Sequence, residues 1–140
     1  MTAALAILLA GCVHTPRAEL AHDAALLTTL GAHYHIPPAL GAAMEVREST
    51  CRRRARSRHG DLGLMQIRRG CATRGFDGLT DEQLMEPRVN LKLGLRRLAL
   101  ARRRCGGAPW EETLGAYAGL RGCRASAYGA RVIATMEGRP

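Results

Sequence analysis

Aromatic side chains are scarce in this chain of 140 residues, which has one Trp, one Phe and three Tyr. Lysine is nearly absent, so almost all of its cations are Arg. Ala, Leu and Arg dominate instead, a composition that favours helix over sheet. No low-complexity stretch or internal repeat divides the chain, and its length fits one domain with one core. The apolar run Ala3 to Ala10 is too short to cross a bilayer. No cysteine pair has the close spacing of a structural zinc site. His33 and His35 stand two residues apart and do not share a helix face, so they make no metal pair. No metal site and no cofactor is therefore expected.

The formal net charge is +9, which points to an anionic partner: nucleic acid, phospholipid or an acidic wall polymer. Arg52-Arg53-Arg54 and Arg102-Arg103-Arg104 lack interleaved aromatics and match no nucleic-acid motif. A solvated basic face is the simpler reading of both clusters, and no nucleic-acid partner is expected.

Five cysteines are many for a small cytosolic protein. Cys12 closes the apolar run, and Cys51, Cys71, Cys105 and Cys123 lie in the body of the chain. Four body cysteines in an exported domain read as two disulfides, with three connectivities open. The preferred pairs are Cys51–Cys71, which brackets one polar loop, and Cys105–Cys123, which brackets one helix. Each would stabilise the fold by about 3 kcal/mol.

The first residues read as a targeting segment. Ala3 to Ala10 fits a signal-peptide h-region, although no Lys or Arg precedes it. Leu9-Ala10-Gly11-Cys12 resembles a bacterial lipobox, in which the Cys is lipidated. The expected organisation is a signal peptide over 1–11, a tether over 12–18 and a catalytic domain over 19–140. The expected location is the periplasm, lipid-anchored through Cys12, at the outer membrane in preference to the inner because Val13 and not Asp follows the Cys.

Helices are predicted over Glu19 to Tyr34 and from Pro38 to Glu48, the second with a proline in its first turn. Thr80-x-x-Gln83 has the capping-box pattern. Pro87 to Arg104 is the longest predicted helix, apolar around much of its girth and so central to the fold. Pro109 opens the next helix, which carries Trp110, Leu114 and Tyr117, and Ser126 caps a last one. Asn90 falls in the first turn of the longest helix; if buried it needs partners, and it could brace a neighbouring loop.

Two carboxylates, Glu45 and Glu48, are neighbours on one helix face. Glu48 stands at the C-terminal end, where the negative end of the helix dipole, with partial burial, would raise its pKa and keep it protonated. That suits a general acid.

Glu48-Ser49-Thr50-Cys51 resembles the Glu-Ser-x-aromatic signature of the soluble lytic transglycosylases, with Cys51 in place of the aromatic. Ser57-x-x-Gly60-x-x-Gly63-Leu64-Met65-Gln66-Ile67 resembles the family's next block. Glu86-Pro87-x-x-Asn90-x-x-x-Gly94 resembles its Asp-Pro-x-x-Asn-x-x-x-Gly helix. Ala116-Tyr117 resembles its Ala-Tyr-Asn element, and Tyr128 falls where a Tyr opens the last helix. The four blocks occur in order over residue 28 to the C-terminus.

This resemblance implies a mainly α fold, one lysozyme-like (goose-type) helical domain with a groove, stapled by the disulfides. It implies cleavage of the bond between N-acetylmuramic acid and N-acetylglucosamine in peptidoglycan, leaving 1,6-anhydro ends. Glu48 would be acid and then base. Ser49, Met65, Gln66, Tyr117 and Tyr128 would orient or contact substrate, with Gly63 and Asn90 as structural support. Asp61 stands where the family often has Ala, and a second carboxylate there could position water for lysozyme-like hydrolysis. Ala118 replaces the family's Asn. A wall-binding lipoprotein without turnover is a further reading, against which the intact Glu48 argues. A monomer is expected. A chain this compact suits general wall remodelling, or wall opening for a secretion or conjugation machine.

Overall fold

Prolines and polar caps cut the chain into helices. A computed structural model describes residues 1–70 and 73–140. Its elements are α1 (Ala3–Gly11), α2 (Arg17–Tyr34), α3 (Pro38–Ser49), α4 (Asp81–Met85), α5 (Pro87–Arg104), α6 (Trp110–Tyr117) and α7 (Ala127–Met136). Among the described residues there is no strand, only two isolated antiparallel bridges that join Leu62 to Arg56 and to Ile67. The mainly α class expected from the sequence is the class observed.

The predicted caps are in place. The Thr80 hydroxyl accepts the Gln83 N–H at 3.2 Å while the Gln83 amide oxygen accepts the Thr80 N–H at 2.9 Å, completing the box ahead of α4. Ser126 Oγ accepts the Gly129 N–H at 3.0 Å and starts α7. Such a cap contributes about 1 kcal/mol. Glu86 caps α5 by accepting the Val89 N–H at 3.0 Å, and Pro87 occupies the first helical position. α5 buries Leu91, Leu93, Leu95 and Leu98 and packs between α2 and α6. The core it joins is continuous with the buried side of α3, where Leu40, Ala42, Ala43 and Met44 are fully enclosed.

α3 ends abruptly. Thr50 and Cys51 both take left-handed backbone conformations, with φ of 53° and 58°. Such angles are unfavourable for residues with a side chain, for a β-branched one above all. The turn they make leaves Glu48 in the last turn of α3 and sends the chain into the loop of residues 51–70.

Residues read as a leader form α1, which buries Ala4 and Leu8 and packs on α2 and α3. The expected tether contains the turn into α2, and Cys12 is 1% exposed. Its sulfur is bonded to Cys51, with the two Cα atoms 5.8 Å apart. The expected Cys51–Cys71 pairing is thereby corrected: Cys51 takes Cys12 as partner, and Cys71 lies outside the described residues. The preference for Cys71 arose because Cys12 had been assigned to a lipid, and because bracketing in sequence carries no information on what α1 brings near. Lipidation of Cys12 and the Cys12–Cys51 bond are alternative fates of one sulfur atom. Cys105 is joined to Cys123 across α6, Cα to Cα 5.6 Å. No helix among the described residues is long and apolar enough to cross a membrane.

Candidate active site

Glu48 opens on a cavity of about 360 Å³ that is lined also by Asp61, Gln66, Arg68, Arg97, Tyr117 and Tyr128. A larger cavity, about 990 Å³, lies between α1, the end of α3 and the C-terminus, away from these groups.

The carboxyl of Glu48 is half-buried, and burial raises its pKa above the ordinary carboxylate value. The Tyr128 hydroxyl donates to Glu48 Oε1 at 2.6 Å. That bond and the charge of Arg97 favour the ionised form, and the charge of Asp61 disfavours it; burial outweighs them. The Tyr128 phenol is itself pushed far above its ordinary pKa by burial and by the neighbouring Tyr117 and Glu48, so it remains a donor. With Oε1 accepting from Tyr128, Oε2 is the oxygen left to carry the exchangeable proton. The rings of Tyr117 and Tyr128 stack at 6.1 Å between centroids, 18° from parallel. Burial raises the Tyr117 phenol strongly as well.

The facing wall is the 60–67 turn, held by one side chain of α5. Asn90 is fully buried. Its Oδ1 accepts the Met65 N–H at 2.7 Å, and its Nδ2 donates to the carbonyls of Leu62 at 2.9 Å and Leu84 at 2.8 Å. The amide can reach these groups only because residue 63 lacks a side chain: a Cβ on Gly63 would lie 2.5 Å from Asn90 Nδ2, and φ there is +73°. Asn90 and Gly63 thus meet directly, the amide packed on the bare glycine backbone.

Gln66 also has a positive φ, 47°. Its Nε2 donates to the carbonyls of Gly63 at 3.0 Å and Ala55 at 3.4 Å. The amide oxygen is the atom it can offer to a ligand. Asp61 is held by three bonds: from Arg68 Nε at 2.7 Å, from Arg68 Nη2 at 3.1 Å and from Ser57 Oγ at 2.9 Å. The Arg68 fork, in the first place, lowers its pKa, so Asp61 is ionised and both its oxygens are engaged.

Two expected contact residues sit elsewhere. Met65 is 1% exposed and does not line the cavity. Its side chain fills the notch left by Gly94, where an added Cβ would meet it at 2.7 Å. Ser49 is buried, and its hydroxyl donates back to the Glu45 carbonyl at 3.2 Å, while its own carbonyl accepts from Arg52 Nε at 3.1 Å. It secures the end of α3 and does not line the cavity.

The sequence reading missed Arg68 and Arg97. Arg97 lies 4.6 Å over the Tyr117 ring, and its Nη2 donates to the Tyr117 carbonyl at 2.8 Å. It is seven residues beyond Asn90 on α5, a spacing that puts both on one side of the helix and was the available signal. Glu45, the other carboxylate of the pair on α3, turns away from the cavity. It is fully buried against Asp23, to which its protonated carboxyl can donate a hydrogen bond. Burial, then the Asp23 carboxylate, raise its pKa well above the usual range. Asp23 in turn accepts from Arg53 Nη2 at 2.7 Å. No group of three or more His, Cys, Asp or Glu among the described residues is arranged to hold a metal.

The chain is similar to known proteins over most of its length. The transglycosylase SLT domain family matches residues 26–131. Among solved structures, an inactive mutant of the lytic transglycosylase Slt from Pseudomonas aeruginosa is similar, with a TM-score of 0.59 and 27% sequence identity. The match covers 78% of this chain and 17% of that one, so the chain corresponds to a small part of the larger protein. No curated protein matches.

Proposed function

Since the chain belongs to the transglycosylase SLT family, we propose that it cleaves the glycan of peptidoglycan as a lytic transglycosylase, with Glu48 as acid and then base. The observation that carries this reading is the setting of Glu48: a half-buried carboxyl of raised pKa at the end of α3, held on one oxygen by Tyr128 and open to a cavity.

The steps balance with one carboxyl. Glu48 Oε2 gives its proton to the oxygen linking C1 of N-acetylmuramic acid to C4 of N-acetylglucosamine, and the C1–O bond breaks. The substrate's own N-acetyl group stabilises the oxocarbenium-like centre. The C6 hydroxyl of the muramoyl unit attacks C1, and Glu48 takes its proton. Glu48 ends as it began, the product is a 1,6-anhydro sugar, and no water is consumed. Each transfer is easiest when the pKa lies near the working pH. Burial supplies the acid form; the Tyr128 donor and the Arg97 charge support the carboxylate between the two transfers. The amide oxygen of Gln66 suits an acetamido N–H.

Hydrolysis with Asp61 as base is less well supported. Its oxygens are committed to Arg68 and Ser57, and its lowered pKa makes it a poor proton acceptor. The periplasm is the proposed location, since two disulfides require an oxidising compartment. Digestion of purified sacculi tests the reading: anhydro ends are one water lighter than reducing ends.

A further inference from the structure

A row of cations continues beyond the catalytic cavity. A second cavity, of about 690 Å³, shares Arg97 and Tyr117 with the first. Arg74, Arg96, Arg97 and Arg104 line it, and no acidic residue does. Arg97 and Arg104 are seven residues apart, about 10 Å along α5, with Leu100 and Ala101 between them as an apolar floor. The end of α6 forms the opposite wall.

Around the 51–70 loop and at the C-terminus, arginines are neutralised. Arg53, Arg54, Arg56, Arg68, Arg69 and Arg139 each pair with a carboxylate. The four in the second cavity have no ion pair among the described residues. What fixes two of them is neutral: Arg96 Nη1 donates to the Arg74 carbonyl at 2.8 Å and its guanidinium lies 5.7 Å from the Phe76 ring centroid, while Arg97 is held by the Tyr117 ring and carbonyl. These contacts order the guanidinium planes; Arg97 also faces Glu48 in the catalytic cavity, while Arg74, Arg96 and Arg104 have no carboxylate beside them in this one. Four like charges around one cavity repel one another, and an anion entering it relieves that repulsion. Guanidinium forks suit carboxylates, which they bind through two parallel hydrogen bonds.

We propose that this cavity is a subsite for the carboxylates of the short peptides that the wall glycan carries on its muramoyl units. A strand seated at Glu48 would lay its peptide branch past Arg97 towards Arg96 and Arg104. The inference rests on the peptidoglycan-cleaving reading above, and it adds that the chain prefers peptide-bearing strands whose carboxylates are free.

The test is binding measured apart from cutting. The Glu48→Gln chain is titrated with fluorescently labelled peptide-bearing glycan oligomers, either native or with the peptide carboxylates converted to amides. Native oligomers bind about tenfold more tightly, and the difference shrinks as salt is raised. Adding Arg96→Gln and Arg104→Gln abolishes the difference and leaves affinity for the amidated oligomer unchanged, which also reports an intact fold. The exposed Arg104→Gln alone removes part of it. Equal affinity for the two oligomers, or a preference that survives both substitutions, overturns the proposal. So does arginine-dependent binding to phosphatidylglycerol vesicles without preference between oligomers. Turnover by the unmodified chain is measured alongside: a peptide preference without cutting rejects the lyase reading and leaves the subsite standing.

Discussion

The Tyr128 hydroxyl and the Glu48 carboxyl, 80 residues apart in sequence, meet at 2.6 Å. The bond joins the start of α7 to the end of α3, and those two helices pack directly on each other. Its chemical consequence is asymmetry: one carboxyl oxygen is occupied, and the other is left to exchange the proton.

Tyr128→Phe removes a donor to the ionised form. A hydrogen bond to a charged group contributes about 1.5–3 kcal/mol, so the turnover rate falls roughly 10- to 100-fold. Because that bond lowers the Glu48 pKa, its loss raises it, and the alkaline limb of the pH–rate profile, where the resting carboxyl loses the proton it must donate, moves to higher pH. A rate loss with an unmoved profile would mean that Tyr128 acts only by packing on Tyr117.

Glu45 predicts how stability depends on pH. The folded chain holds a proton on this buried carboxyl that the unfolded chain releases near the ordinary value of 4.5. Folding stability therefore falls as pH rises from there towards the folded pKa. Asp61 and Asp81, held below 3.8 by arginines, act in the opposite sense and at lower pH, so the two windows separate. Glu45→Gln flattens the decline, leaving the smaller contributions of Asp23 and Glu48. Urea unfolding between pH 4 and pH 7 checks it; an unchanged slope contradicts it.

Asn90→Ala strands the Met65 N–H and the Leu62 and Leu84 carbonyls in the core. The expected loss of stability is about 2–4 kcal/mol, read from the denaturant midpoint. Because the same turn carries Asp61 and Gln66, KM rises as well. A loss below about 1 kcal/mol would mean that the loop holds its shape without this brace.

The cysteines give a covalent prediction. Proteolysis of the oxidised chain under non-reducing conditions, followed by mass spectrometry, yields linked peptides containing Cys12 with Cys51 and Cys105 with Cys123. Recovery of Cys51 bonded to Cys71, together with a lipid on Cys12, contradicts the first pair.

What the sequence disclosed was local. Pro87 and the Cys105-Gly106-Gly107 stop delimit α5; Thr80 with Gln83, and Ser126, start α4 and α7. Glu48 and Asn90 were singled out by the resemblance of their motifs to those of a family; without it, Asn90 would have read as an ordinary surface residue. What stayed hidden depends on tertiary packing. That α1 brings Cys12 within bonding distance of Cys51 depends on how α1 packs on α3, which the spacing of the cysteines does not tell. Met65 points inward because Gly94, 29 residues away, leaves it a notch. Arg97 is one arginine among many, and only the fold brings its guanidinium over Tyr117 and beside Glu48.

The most direct measurement is the product of wall digestion. Purified sacculi are incubated with the chain and with Glu48→Gln, and the released fragments are weighed. The account predicts 1,6-anhydromuramoyl ends from the unmodified chain and a loss of at least 100-fold in their release by Glu48→Gln. Reducing muramoyl ends, one water heavier, or equal release by the two chains would contradict it.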